Sequence, residues 1–239
     1  MNLAASLDAD GYVIVPNVLD DSACDGLRSA LGDATGAGSR GMLHIPVVAD
    51  LAQNILAGLV RPHLPSDPVP VRGIYFDKRP ETNWLVAWHQ DLTLALRAPV
   101  ESPGFGPWSV KDGVPHVQPP VPLLEQMLAV RLHLDDANAE NGALRVLPGT
   151  HRLGRLSAES IQQCRETHCE VLCEARAGDV LLMRPLLLHA SSRSTSTSRR
   201  RVLHVEFAGF YLPPPMEWHE APCQRPVSPP LVPQPNTSV

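Results

Sequence analysis

The stretch WLVAWHQDLTLAL, residues 84–96, is an apolar run with a polar interruption at its centre. Its content of Val, Leu and Trp predicts a buried β-strand. His89 and Asp91 are separated by one residue, and such residues of a strand project from the same face, about 6 to 7 Å apart. The pair is therefore suited to hold a divalent cation, although an isolated His-x-Asp is more often a hydrogen bond at a strand end.

Five further short runs have a similar composition, which also predicts β-strands. They are VRGIYFDK (71–78), MLAVRLHLDD (127–136), ALRVLP (143–148), DVLLMRPLLLHAS (179–191) and RRVLHVEFAGFYL (200–212). Gly, Pro, Asn and Asp punctuate the spaces between them, and no helix-length amphipathic segment alternates with them. The pattern favours a mainly β sandwich or barrel over a parallel α/β sheet.

Helical patterns flank this β region on the N-terminal side. One helix is predicted after residue 19, with Asp20, Asp21 or Ser22 as its N-cap. A second is predicted over residues 47–64, ending at Pro62, and one more inside the β region over residues 158–169.

The domain organisation follows from composition. Residues 1–212 are interpreted as a single domain. Within it, residues 97–122 are rich in Pro and Gly and too long for a simple turn, which predicts a lid-like insertion. Residues 213–239 are interpreted as a Pro-rich C-terminal tail, extended at least over its last dozen residues.

Charge and cysteine content limit the class of protein. The chain has 239 residues and a net charge of −5, which gives no support for nucleic acid or an anionic membrane as a partner. It shows no secretory signal, no apolar run near the roughly 20 residues needed to span a bilayer, and five cysteines, so we expect a cytoplasmic protein with reduced thiols. Cys164, Cys169, Cys173 and His168 lack the close Cys-x₂-Cys spacing of a zinc site.

A third candidate ligand is His189, which ends the very apolar run that starts at residue 179. Together with His89 and Asp91 it makes a set of two imidazoles and one carboxylate from separate strands. This set is typical of non-haem Fe(II) oxygenases, in which three metal positions stay open. It also suits zinc with a bound water, so a zinc hydrolase and a metabolite-binding barrel without turnover remain alternatives.

Three arginines, Arg199, Arg200 and Arg201, follow His189 and lead into the next β run. A guanidinium at this place can bind a carboxylate through two parallel hydrogen bonds. Strand alternation allows only one of Arg200 and Arg201 to face inward, so at least one of the three arginines is expected to be solvated.

The motifs, taken in order, resemble those of the phytanoyl-CoA dioxygenase family. The resemblance covers nearly the whole chain up to about residue 212. It rests on DGYVIVPNVLDD (10–21), WHQD (88–91), LHLDDANAENGALRVLPGTHRLG (132–154), GDVLLMRPLLLHASS (178–192) and an Arg eleven residues beyond the second His. It implies a double-stranded β-helix, the jelly-roll or cupin-like barrel, with N-terminal helices beside it. Asn141–Gly142 is in addition a hairpin turn signal.

The resemblance also implies the cofactors and their ligands. His89, Asp91 and His189 match the Fe(II) ligands. Arg200 best matches the residue that binds the distal carboxylate of the cosubstrate 2-oxoglutarate, with Arg201 as the alternative. The expected reaction uses O₂, releases succinate and CO₂, and hydroxylates an aliphatic C–H of a small-molecule substrate. Asp91 indicates a hydroxylase, because a halogenase would have a small residue there.

Two neighbours of the ligands are matched by the same resemblance. Ser191 matches a hydroxyl that hydrogen-bonds the cosubstrate, and Gln90 matches a further cosubstrate neighbour. For the substrate, the sequence offers Trp108, Lys111 and His116 on the predicted lid. Arg131, on the strand that follows, is the fourth candidate. The shortage of lysines favours a free metabolite, such as a carboxylate, over an acyl-CoA. The oligomeric state is not predicted.

Overall fold

Two antiparallel β-sheets face each other in the computed structural model, which describes residues 3–34, 36 and 38–221. The strands are β1 Tyr12–Val15, β2 Ser39–Arg40, β3 Val69–Lys78, β4 Val86–His89, β5 Leu94–Ala95, β6 Trp108–Lys111, β7 Val114–Val117, β8 Met127–His133, β9 Leu144–Val146, β10 Val171–Cys173, β11 Val180–Met183, β12 His189–Ser191 and β13 Arg200–Ala208. The α-helices are α1 Leu3–Ala9, α2 Asp21–Leu31, α3 Pro46–Leu51, α4 Ala57–Val60, α5 Val121–Leu124 and α6 Ala158–Thr167.

The larger of these two sheets has the strand order β1-β11-β8-β13-β3-β2 and the smaller one the order β10-β9-β12-β4, while β5, β7 and β6 form a separate three-stranded sheet in the order β5-β7-β6. Ala129 and Leu181 of the larger sheet pack against Leu144 and Val146 of the smaller one, so the inner faces of the two sheets share a core. The arrangement is the double-stranded β-helix expected from the sequence. Among the described strands, no strand of one of these sheets pairs with a strand of the other. The predicted fold class is confirmed.

The outer face of the larger sheet is covered by the N-terminal helices. Leu128, Val130 and Leu132 of β8 belong to one apolar cluster with Leu27 of α2 and Val48 of α3. Because side chains alternate across a strand, the odd-numbered residues of β8 point to the opposite face, between the two sheets. The helix layer thereby fixes which face of the sheet lines the interior.

The predicted helices are present, with shifted ends. Asp20 is the N-cap of α2, and its Oδ1 accepts a hydrogen bond of 2.8 Å from the Ala23 N–H. The helix expected over 47–64 is α3 and α4 joined by a π-helical turn, Ala52–Leu56. In the described part of the chain, no helix is both long and apolar enough to cross a bilayer.

The expectation of one buried strand over residues 84–96 is wrong. β4 ends at His89 and lies at the edge of the smaller sheet, and Leu85 just before it is 58% exposed. The chain then leaves the sheet, with the Asp91 N–H donating to the Pro185 carbonyl at 2.9 Å, before β5 begins. An edge strand has a neighbour on only one side, so its apolar residues need not be buried.

The segment 97–122 contains a packed β-hairpin, formed by β6 and β7. Strands β6 and β7 pair around Asp112 and Gly113, both of which have positive φ, 50° and 80°. Asp-Gly is a strong signal for such a two-residue turn, and it was present in the sequence. Trp108 and Val117 pack into a second apolar cluster, which also includes residues of β5 and β13.

The C-terminal boundary of the domain lies beyond residue 212. Trp218 is only 3% exposed and pairs with Leu96 through an isolated β-bridge. Its ring packs against that of Phe210, with 5.8 Å between the ring centroids. The Glu220 carboxylate accepts hydrogen bonds of 3.1 Å from the Leu43 and Gly73 N–H groups. The part of the predicted tail up to residue 221 is therefore integrated into the fold, and residues 222–239 lie outside the described residues.

A single substitution tests this integration. Trp218→Ala should lower the free energy of unfolding by about 3–5 kcal/mol, because it removes a large buried aromatic side chain. Tyr211→Ala, at a residue 58% exposed, should change it by no more than about 0.5 kcal/mol. The measurement is urea unfolding followed by far-UV circular dichroism, and equal midpoints for the two variants would contradict the packing described here.

Candidate active site

His89, Asp91 and His189 come together between the two sheets. β4 and β12 pair so that His89 lies opposite His189, and their imidazole rings are 4.1 Å apart between centroids. The Asp91 carboxylate reaches both rings, with Oδ1 3.7 Å from Nε2 of His89 and Oδ2 3.6 Å from Nε2 of His189. One ligand atom from each residue lies within 4.8 Å of the other two.

The two imidazoles are oriented by backbone carbonyls. Nδ1 of His89 is 2.8 Å from the Ala87 oxygen, and Nδ1 of His189 is 2.9 Å from the Leu187 oxygen. A carbonyl oxygen can only accept, so each Nδ1 carries the proton and each Nε2 presents a lone pair. This outer hydrogen bond is the usual way in which proteins fix the tautomer and orientation of metal-binding histidines.

The ionisation of the site suits a cation. Burial lowers the pKa of His189 to about 4, so its imidazole is neutral at neutral pH. Burial would raise the pKa of Asp91, but the neighbouring imidazoles and Arg72 outweigh this effect and hold it well below its usual range. The Nε2 atoms of the two imidazoles and the Asp91 carboxylate face one point, and a divalent metal ion fits that donor set.

No other group of three His, Cys, Asp or Glu residues within the described residues could hold a metal ion. Cys164, Cys169 and Cys173 are free thiols, and they do not converge with His168. The sequence-based preference for His89, Asp91 and His189 over the cysteines agrees with this arrangement.

A cavity of about 270 Å³ extends on both sides of these three residues. Its walls come from both sheets and from the hairpin of β6 and β7. The charged residues that line it, besides Asp91, are Arg72, Lys111, Arg131, Arg200 and Glu206. The cavity thus has two carboxylates against four cationic side chains, of which Arg72, Arg131 and Arg200 are buried and Lys111 is exposed.

Arg200 is the arginine that faces this cavity. It is 3% exposed, its Nε donates to the Asn141 carbonyl at 3.2 Å, and no carboxylate is its partner among the described residues. Burial, assisted by the nearby charge of Arg131, lowers its pKa to about 9. Arg201 instead points to the other face of β13, where it binds Asp135 through two hydrogen bonds of 2.7 Å.

The turn at Asn141–Gly142 holds the side chains at this end of the cavity. Gly142 has φ of 76°, and a Cβ there would lie 2.5 Å from the Ser192 oxygen, so the position requires glycine. The Gly142 carbonyl accepts a hydrogen bond of 2.9 Å from the Ser191 hydroxyl. The Asn141 carbonyl accepts one of 3.2 Å from Nε of Arg200. The turn therefore positions both predicted cosubstrate residues.

Lys78 is a residue of this end that the sequence did not single out. It is 1% exposed, and its Nζ donates to the Ser191 hydroxyl at 3.0 Å and to the Ser192 carbonyl at 2.6 Å. Burial, together with the charges of Arg200 and Arg131, lowers its pKa to about 7. Because Lys78 lies opposite Arg200 in the pairing of β3 with β13, strand alternation could have placed it on the inner face.

Gln90 has a structural role in the described contacts. Its Nε2 donates to the carbonyls of Gly154 and Leu186 at 2.8 and 2.7 Å, and its Oε1 accepts from the Leu156 N–H. Both amide protons are used, so Gln90 anchors the chain between the two ligands of the His-x-Asp pair. Its predicted contact with the cosubstrate stays a prediction.

The four substrate candidates divide into two groups. Lys111 and Arg131 line the cavity, whereas Trp108 and His116 do not. Trp108 packs into the second apolar cluster, and His116 is buried with its Nδ1 held by the Val114 carbonyl. The sequence analysis could not separate these two groups. It interpreted residues 97–122 as a loop, so the alternation of side chains along a strand was not applied there.

Three further cavity residues were missed. Arg72, His204 and Glu206 lie on the inner faces of β3 and β13, and Arg72 is directly opposite Glu206. They occupy every second position of their strands, as do Phe76 and Arg200. That period-two pattern was available in the sequence, but without the strand pairing nothing showed which face was the inner one.

A jelly roll that presents two imidazoles and one carboxylate from its inner faces is the arrangement of non-haem Fe(II) oxygenases, and this is the class that the fold and the site define. The model of the phytanoyl-CoA dioxygenase family matches residues 31–202, well over half of the sequence. The chain belongs to the phytanoyl-CoA dioxygenase family. The predicted cofactors, Fe(II) and 2-oxoglutarate, are those of this class. No curated protein matches the chain.

Solved structures share the fold at low sequence identity. EctD from S. alaskensis with 2-oxoglutarate and 5-hydroxyectoine has a TM-score of 0.68 at 19% identity, covering 86% of this chain and 74% of that one. The α-ketoglutarate-dependent carbocyclase SnoK from nogalamycin biosynthesis has a TM-score of 0.65 at 18% identity, and the match covers 86% of this chain and 82% of that one. HygX from Streptomyces hygroscopicus with nickel and 2-oxoglutarate has a TM-score of 0.62 at 19% identity, and the match covers 86% of this chain and 85% of that one.

The metal ligands can be tested by binding alone. His89→Ala should weaken Fe(II) binding by at least about tenfold, because it removes one of three protein ligands. His168→Ala, at the C-cap of α6, should leave the affinity unchanged. Anaerobic calorimetric titration of the metal-free proteins with Fe(II) measures both, and an unchanged affinity in His89→Ala would refute the ligand assignment.

Lys78 predicts a pH dependence of stability. Its pKa is about 7 in the folded protein and about 10.4 in an unfolded chain. Between these pH values the unfolded state binds one more proton, so the free energy of unfolding should rise with pH, by at most about 1.4 kcal/mol per pH unit from this group. Below pH 7 the contribution is constant.

Lys78→Met lacks this titration, so its stability should rise less steeply across the same range. Urea unfolding of both metal-free proteins between pH 6 and 10 gives the two slopes. Parallel slopes would show that the ammonium of Lys78 titrates normally in the folded state.

Proposed function

We propose that this protein is an Fe(II)- and 2-oxoglutarate-dependent dioxygenase that hydroxylates an aliphatic C–H of a small-molecule substrate. The overall reaction consumes the substrate, 2-oxoglutarate and O₂, and it yields the hydroxylated product, succinate and CO₂. The observation that carries the proposal is the buried, carboxylate-free Arg200, placed in the same cavity as the three metal ligands.

The cosubstrate end of the cavity is lined by Arg200 and Ser191. A guanidinium without a carboxylate partner is unfavourable in a buried site, and the distal carboxylate of 2-oxoglutarate would supply that partner. The Ser191 hydroxyl donates to the Gly142 carbonyl and accepts from Lys78, so these contacts hold Ser191 in place at this end. Arg131, whose Nε lacks a hydrogen-bond partner, provides a second buried cation for this dianion.

His89, Asp91 and His189 would hold the iron, leaving three of its positions for 2-oxoglutarate and O₂. Iron and the cosubstrate together supply the oxidising chemistry when bound. The contribution of the chain is orientation and exclusion of water. The carbonyls of Ala87 and Leu187 keep the imidazoles in place, the Asn141–Gly142 turn holds the cosubstrate residues, and apolar walls such as Ile74 and Leu144 line the cavity.

The cavity volume supports a small substrate. About 270 Å³ corresponds to the space of roughly nine water molecules at about 30 Å³ each, and 2-oxoglutarate fills part of it. The remaining space suits a free metabolite, which we favour over an acyl-CoA. The cytoplasmic location remains a prediction from sequence.

Anaerobic reconstitution tests the reaction class. The Fe(II)-loaded protein should develop a metal-to-ligand absorption band on addition of 2-oxoglutarate, and on admission of O₂ it should form succinate. A zinc hydrolase would do neither, and a binding barrel would show the band without turnover. Absence of both signals would exclude the proposal.

The assignment of Arg200 has a matched control in Arg201. Arg200→Gln should weaken 2-oxoglutarate binding by about 10- to 100-fold, because a charge-assisted hydrogen bond is lost. Arg201→Gln removes the same charge from the outer face of β13, so it should lower stability through Asp135 but not the affinity. Titration of the absorption band measures the affinities, and the reverse ranking would make Arg201 the cosubstrate residue.

A further inference from the structure

The cavity has a second charged end, away from Arg200. There, Arg72 and Glu206 face each other on β3 and β13, 8% and 6% exposed, with Arg72 Nη1 3.1 Å from Glu206 Oε1. Lys111 reaches the same end from the β6–β7 hairpin, where its Nζ is 3.3 Å from the Thr93 hydroxyl. The metal ligands lie between this end and Arg200.

The two ends are separated along the strands. Arg72 and Lys78 are six residues apart on β3, and Glu206 and Arg200 are six residues apart on β13, a distance of about 20 Å at the rise of a strand. Between them, Nη1 of Arg131 lies 3.3 Å from Nδ1 of His204. The Arg72–Glu206–Lys111 group is therefore distinct from Arg200 and lines the same cavity as the metal ligands.

Arg72 meets Glu206 through one nitrogen and one oxygen, which leaves guanidinium donors and the second carboxylate oxygen beside the cavity. His204 approaches the same Oε1, at 3.5 Å. The remaining donors and Oε2 keep some solvent access, so a ligand that both accepts and donates hydrogen bonds can take the place of water there.

The charge balance specifies the ligand further. Fe(II), Asp91 and the 1-carboxylate of 2-oxoglutarate balance one another, the distal carboxylate is opposite Arg200, and Arg72 is balanced by Glu206. Two cavity cations are left over, the buried Arg131 and the exposed Lys111. Of the two, Lys111 is at the same end as Arg72 and Glu206, and a carboxylate on the substrate would bind there to Lys111 and Arg72 together.

We infer that the substrate is a small amino or hydroxy acid, with its carboxylate bound by Lys111 and Arg72 and its amino or hydroxyl donor bound by Glu206. The inference rests on the proposed function, because it concerns the substrate of the same site. Lys111 and Glu206 then determine specificity, while the metal ligands and Arg200 determine the reaction.

The test uses the complex of protein, Fe(II) and 2-oxoglutarate under anaerobic conditions. The probes are a pool of small amino and hydroxy acids, the primary amide of each, and the same acids without the amino or hydroxyl group. Binding is measured as perturbation of the metal-to-ligand band. At least one acid of the pool should bind at least about tenfold more tightly than its amide and than its unsubstituted analogue.

Substitutions at two residues, Lys111 and Glu206, assign these preferences. Lys111→Met should abolish the preference for acid over amide, and Lys111→Arg should restore it in part. Glu206→Gln should abolish the preference for the donor-bearing acid. Arg40→Met is the control, since Arg40 pairs with Asp112 at the tip of the same hairpin and does not line the cavity.

The outcomes are distinct. If the band forms but no acid is preferred over its amide, the inference is wrong and the proposed function stands. If Lys111→Met keeps the acid preference, or instead weakens 2-oxoglutarate binding by tenfold, Lys111 does not bind the substrate carboxylate and the inference is again overturned. If no band forms in the unmodified protein, the proposed function and the inference fall together.

Discussion

The pairing of β4 with β12 is the constraint on which the site depends. It places His89 opposite His189 in a ladder of only a few residues, at the open edge of the smaller sheet. Because β4 is an edge strand, the chain is free to leave the sheet directly after His89 and to return Asp91 to the space between the rings. Three ligands thus converge without a continuous strand, and two backbone carbonyls keep the imidazole nitrogens directed at the common point.

The interior of the jelly roll is unusually charged for a space between two sheets. Arg72, Arg131 and Arg200 are buried there, and within the described residues only Arg72 has a carboxylate partner. Burial of unpaired cations lowers stability, so their presence is best explained by anions that bind when the protein functions. The Asn141 carbonyl accepts from Arg200 and the Gly142 carbonyl from Ser191, so a single turn positions both residues of the proposed cosubstrate end.

Much of the site was visible in the sequence because metal ligands have short, ordered spacings. His-x-Asp, the distant His189 and an arginine eleven residues later form a pattern that tolerates variation elsewhere. The reason given for the His-x-Asp pair was nevertheless incomplete, since Asp91 reaches its place by leaving the strand and not by strand alternation. Lys78, Arg72 and Glu206 escaped detection because each is an ordinary charged residue in a strand, and only the pairing partner shows which face is buried.

The sequence by itself determined the fold class, the ligand triad and the family, because alternation, turn residues and motif order are local properties of the chain. The tertiary structure alone decided which of Arg200 and Arg201 faces inward, since that choice depends on the register of β13 against β3 and β8. It also decided that the hairpin of β6 and β7 brings Lys111 to the cavity, and that residues up to 221 pack into the fold. The turn of that hairpin was marked by Asp112–Gly113, but where it packs depends on contacts between residues far apart in sequence, which no local pattern encodes.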